Sequence, residues 1–100
     1  MIETPIKTLG EILTEVAKQV VPSEVVIQDK TETGWVARSA RYMVFELMEK
    51  AGYTHQEIAD FFKMNRENVT KGLTRLDGWK KAYQDVRDTC GRLERTVLGA

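Results

Sequence analysis

THQEIADFFKMNRENVTKGLTRL, residues 54–76, is the stretch that decides the fold. Thr54-His55-Gln56-Glu57 has the form of a capping box, in which the Thr hydroxyl and the Glu carboxylate satisfy free amides at a helix start. Ile58, Ala59 and Phe62 then share one face of the helix it opens, and the small Ala59 lets a second helix cross closely. Lys63-Met64-Asn65 makes a turn of about three residues, as a helix-turn-helix requires. Asn65 is placed to cap the next helix through its side chain. Val69, Leu73 and Leu76 point to the core, which leaves Arg66, Glu67, Asn68, Thr70, Lys71, Thr74 and Arg75 outside. The stretch is either a nucleic-acid reading head or a packing hairpin whose polar face is merely solvated.

Working outward, the same three- and four-residue apolar spacing continues through most of the chain. Asp77-Gly78 predicts a break, followed by a last helix at about 79–98 with Trp79, Tyr83, Val86, Cys90, Leu93 and Val97 along one stripe. Upstream, a segment from about Trp35 to Lys50 carries Val36, Ala40, Met43, Val44 and Leu47 inward, and Gly52 is placed to end it in the left-handed conformation. Thr8-Leu9-Gly10-Glu11 is another capping box, opening a first helix with Leu9, Ile12, Leu13, Val16 and Val20 on its apolar face. Pro22-Ser23-Glu24 ends that helix and starts a short turn that buries Val25, Val26 or Ile27. A polar loop, QDKTETG, fills 28–34. QVVPSEVVI is rich in β-branched residues, but Pro22 in its middle and helices on both sides count against a strand. The expectation is one all-α compact domain over residues 1–100, of about six helices, with the helix-turn-helix at about 54–76.

Composition narrows the function. The 100 residues include 42% apolar and 30% charged side chains, enough for a modest core and a soluble surface. No apolar run approaches the roughly 20 residues of a membrane span. MIETPIKTLG lacks the basic start and apolar segment of a signal peptide, and Cys90 is the only cysteine. Together these favour a cytoplasmic protein with no membrane partner. Net charge is zero, yet residues 1–35 hold three basic and six acidic residues, while 61–83 hold six basic and two acidic. A local basic window can attract nucleic acid even when the total is neutral, although a neutral total argues against strong sequence-blind binding.

Catalytic patterns are missing. The seven glycines form no phosphate loop, and His55, the only histidine, reads as a solvated helix-start residue. Glu46, Glu49, Glu57 and Asp60 lack the spacing of a metal-binding loop. Cys90 reads as a small core residue. The sequence therefore predicts no enzyme, no metal and no cofactor.

These residues resemble the C-terminal DNA-binding domain of the bacterial replication initiator DnaA, of the Trp-repressor-like helix-turn-helix class. The resemblance spans about residues 9–95. Val36-Ala37-Arg38 is similar to the apolar-Ala-Arg start of the family's long helix, and Glu57-Ile58-Ala59-Asp60-Phe61-Phe62 to its Glu-Ile-Gly-x-x-Phe pattern. Asn65-Arg66-Glu67-Asn68-Val69 occupies the place of the signature Asp-His-Thr-Thr-Val, with four of the five residues replaced. The resemblance implies that Asn65, Arg66, Glu67 and Asn68 read base edges in the major groove. The replacements are competent: Arg pairs with guanine, Asn with adenine, and Glu accepts from cytosine. It further implies backbone or minor-groove contacts from Arg38, or Arg41 if the gap is placed differently, and from Thr70, Lys71 and Arg75. The initiator's ATPase domain has no counterpart in this sequence. The expected partner is double-stranded DNA, in a regulator of transcription or replication, and the stripe of the last helix offers a seam for a homodimer. The rival is a protein-interaction module that keeps the fold without DNA binding. A reading head needs Arg66, Asn68, Lys71 and Arg75 on one open face; an interaction module needs an exposed apolar patch.

Overall fold

The structure, a computed structural model, describes residues 7–19, 27 and 34–99. Expectations for residues 20–26 and 28–33 lie outside that set. Within it every regular element is helical: α1 (Leu9–Gln19), α2 (Trp35–Lys50), α3 (His55–Phe62), α4 (Arg66–Ala82) and α5 (Gln84–Leu93), which runs on into a π-helical turn (Glu94–Leu98). The described residues thus hold five α-helices rather than about six. The sixth was the short element after Pro22, of which only the helical, fully buried Ile27 is described.

Helix α2 is the central strut. It buries Ala37, Ala40, Met43, Val44, Phe45, Leu47 and Met48, together with Ser39 and Arg41, as a helix does when packed on several sides. Helix α1 lays Ile12, Leu13 and Val16 against it. Both capping boxes form. The Thr8 amide donates to Glu11 Oε1 (2.8 Å) and the Glu11 amide to Thr8 Oγ1 (3.1 Å); Thr54 and Glu57 exchange the same bonds at 2.8 and 3.1 Å. Helix α2 ends in a Schellman motif. Gly52 takes φ +108°, its amide donates to Glu49 O (3.0 Å), and the Tyr53 amide donates to Met48 O (3.1 Å).

Three expectations need correction. Asp77-Gly78 does not break the chain; α4 continues to Ala82 and the break falls at Tyr83 (φ −126°, ψ 119°). A helical glycine costs only about 1 kcal/mol relative to Ala. Trp79 outweighs that by packing on α2, its ring 4.5 Å from Trp35 and stacked 5.5 Å from Tyr42. Lys80 adds a 2.6 Å ion pair to Glu46 of α2. Val36 and Tyr83, expected to point inward, are 55% and 51% exposed. Asn65 holds the N-cap position in extended backbone, but its side chain makes no capping bond.

Candidate nucleic-acid interface

The turn between α3 and α4 is set by one unusual residue. Lys63 adopts the left-handed conformation (φ 58°, ψ 50°), and around it the Lys63 amide donates to Asp60 O (3.2 Å) and the Met64 amide to Ala59 O (2.9 Å). This is again a Schellman closure, here without the usual glycine. It fixes the angle at which α4 leaves α3. Fully buried Ile58, Ala59 and Val69, with nearly buried Phe62 and Leu76, then hold α3 and α4 against the core.

The packing presents the start of α4 to solvent. Asn65, Arg66, Glu67 and Asn68 are all exposed, and so are Thr70, Lys71, Thr74 and Arg75. Glu67 lies in the first turn, where a negative charge suits the positive end of the helix dipole. Arg38, half-buried on α2, lines one cleft together with Asn68, Lys71 and Arg75 of α4. Arg66, Glu67, Thr70 and Lys71 line a second groove with His55, so Lys71 belongs to both.

Elsewhere, Lys18, Lys50, Lys80 and Lys81 are each paired with an acid, although the Arg92 and Arg95 side chains have no hydrogen-bond or ion-pair partner among the described residues. The side chains of Arg38, Arg66, Lys71 and Arg75 have no hydrogen-bond or ion-pair partner among the described residues. These cations are gathered on one helix and its neighbour and favour anions there, with Glu67 the acid that shares the groove of Arg66 and Lys71.

Arg41 is placed differently from Arg38. It is only 5% exposed and donates from Nε to the buried Ile27 carbonyl (2.8 Å). Its first task is to tie the backbone at Ile27 to α2, which removes it from the set free to enter a minor groove. Thr70, expected to face a phosphate, is held from inside: its hydroxyl lies 2.9 Å from His55 Nδ1 and 3.3 Å from the Arg66 carbonyl.

His55 was not visible to sequence reasoning as more than a solvated residue. It is a strut joining three helices. Its Nε2 donates to Glu49 Oε2 at the end of α2 (2.7 Å), while Nδ1 meets Thr70 on α4. Since a carboxylate only accepts, Nε2 carries the hydrogen of that bond, and the Thr70 hydroxyl beside Nδ1 donates to the Arg66 carbonyl. Glu49 and Thr70 lie 6 and 15 residues away in sequence, beyond the reach of any local pattern.

Among the described residues there is no group of three or more His, Cys, Asp or Glu side chains suited to a metal. Burial, then the Glu46 charge, pushes the Cys90 thiol up to about 12, so it stays protonated and unreactive. Of the stripe expected on the last helix, Val86, Cys90, Leu93 and Val97 are turned into the core, while Tyr83 is exposed. A homodimer through that helix would have to use its opposite, polar face.

Comparison of the chain with known protein families, with curated proteins and with solved structures finds no match.

Proposed function

We propose that the protein binds double-stranded DNA sequence-specifically, as a stand-alone reading head of the DnaA C-terminal type that regulates transcription or replication. Helix α4 enters the major groove. Asn65, Arg66, Glu67 and Asn68 at its start meet base edges, and Lys71, Arg75 and Arg38 meet the sugar-phosphate backbone. The observation that carries this reading is the concentration of partnerless cations, Arg38, Arg66, Lys71 and Arg75, around a helix presented by a three-residue turn. The zero net charge of the chain fits a binder that depends on local base contacts more than on bulk attraction. Selection from a random duplex pool at moderate salt tests it. Enrichment of one motif is expected, with affinity falling as salt rises; absence of binding even at low salt would remove the proposal.

A second reading has its own observation. Trp35 and Tyr83, each 51% exposed with ring centroids 5.9 Å apart, form an apolar patch. Such a patch favours an interaction module. The two readings separate cleanly, because the patch lies at the start of α2 and the α4–α5 break, and neither of its two residues lines the cleft that holds Lys71 and Arg75.

A further inference from the structure

The cleft between α2 and α4 holds more than a passing phosphate contact requires. It encloses about 330 Å³. That is within the ~300–1,000 Å³ common for small-molecule sites and has room for roughly ten waters at ~30 Å³ each. Its lining divides by chemistry. Tyr42, Phe45, Met64 and the bare backbone of Gly72 are apolar or aromatic, whereas Arg38, Arg41, Lys71 and Arg75 are cationic. No acidic residue lines it. The side chains of three of those cations, Arg38, Lys71 and Arg75, have no hydrogen-bond or ion-pair partner among the described residues.

The arrangement follows from a helix crossing. Arg38 and Tyr42 are one turn apart on α2, as are Arg41 and Phe45; Lys71 and Arg75 are one turn apart on α4, so each helix turns its pairs toward the same space. The crossing is tight because position 72 has no side chain. A Cβ there would lie 2.8 Å from Tyr42 Cδ1 and 3.0 Å from Phe45 Cε2. A lone phosphate would satisfy the cations and leave most of the volume, and the Tyr42 ring, to water.

We propose that this cleft is a binding site for a small phosphorylated compound with a flat aromatic body, of the size and kind of a nucleoside monophosphate. The phosphate is held by Lys71, Arg75 and Arg38, and the flat body lies against Tyr42 with the Asn68 amide at its polar edge. Asn68, Lys71 and Arg75 also belong to the surface assigned above to DNA, so ligand and duplex exclude one another, and each weakens the other by the same factor. Only this competition rests on the DNA reading; the ligand site does not.

The test is calorimetric titration of the full chain, without DNA, with adenosine monophosphate, adenosine and inorganic phosphate in low salt. The monophosphate is expected to bind at least about tenfold more tightly than either of its parts. Arg75→Gln and Arg38→Gln should each weaken it by about tenfold. Lys81→Gln, the same charge change at an exposed site outside the cleft, should leave it unchanged. No heat from the monophosphate, equal binding of inorganic phosphate, or an equal loss in Lys81→Gln would each overturn the site. Thermal melts of the variants exclude unfolding as the cause. A second titration, of labelled duplex with the monophosphate present, separates the two ideas. Nucleotide binding without DNA binding sinks the DNA reading alone, and DNA binding without nucleotide binding sinks the ligand site alone.

Discussion

Replacing Gly72 and Gly78 by Ala, two identical changes on one helix, should have opposite effects. Both lie inside α4, where Ala is favoured over Gly by about 0.8–1.0 kcal/mol. At Gly78 a Cβ meets nothing within 4 Å, so that gain is realised. At Gly72 the Cβ would meet Tyr42 at 2.8 and 2.9 Å and Phe45 at 3.0 Å. Phe45 is 1% exposed and cannot swing away, and Tyr42 is stacked on Trp79. Overpacking of this kind costs about 1–3 kcal/mol, so the net effect of Gly72→Ala is a loss of up to about 2 kcal/mol. The two variants should then differ by about 1–3 kcal/mol. At ~4–8 °C per kcal/mol for a domain of this size, their melting temperatures separate by several degrees on opposite sides of the parent. Differential scanning calorimetry reads this directly. If Gly72→Ala were as stabilising as Gly78→Ala, α2 and α4 would not approach as described, and the cleft between them would lose its basis.

Further outcomes concern the frame and the assembly. Cys90 is raised to about 12 from 9.0, so its thiol form is favoured in the folded state; the stability it contributes is present below pH 9 and lost as pH rises toward about 12. Lys80 acts in the same direction. Burial lowers its pKa, but the bond and charge of Glu46 outweigh that and leave it raised, so its contribution also fades at high pH. Urea melts between pH 8 and 11 should show stability falling, with a shallower fall in Cys90→Ala, and equal slopes would refute the burial of the thiol. Lys63 sits at φ 58°, so the β-branched Lys63→Val should cost about 1 kcal/mol or more while Lys63→Gly costs little; equal costs in chemical denaturation would count against the left-handed turn. Because the apolar stripe of α5 is buried in its own core, sedimentation at micromolar concentration should give the mass of one chain, and a dimer mass would require another contact surface.

What was legible in the sequence was local. Both capping boxes, the three-residue turn and the glycine stop after α2 are short-range hydrogen-bond patterns, and each formed at the expected residues. The α4 boundary was not legible. Asp77-Gly78 is a turn signal in isolation, and only the contact of Trp79 with Trp35 and Tyr42, more than 35 residues upstream, overrides it. Arg41 and Arg38 looked interchangeable in sequence. Both line the cleft between α2 and α4, but Arg41 is buried and donates from Nε to the Ile27 carbonyl, while the Arg38 side chain has no partner among the described residues. The strut of His55 and the close approach at Gly72 depend on tertiary neighbours, which no spacing rule encodes.

The central claim, that the start of α4 reads bases, is tested most directly by Arg66→Ala measured against the selected duplex and its single-base variants. Arg66 is exposed in the first turn of α4 and its side chain has no partner among the described residues, so its removal leaves the fold intact. The expected result is a loss of about 1–3 kcal/mol on the preferred site, with discrimination erased at one base pair. Lys71→Ala, by contrast, should weaken all duplexes alike and reduce the salt slope by roughly one charge. If Arg66→Ala weakened every duplex equally and kept the sequence preference, Arg66 would be a backbone contact, and the assignment of base reading to the start of α4 would be wrong.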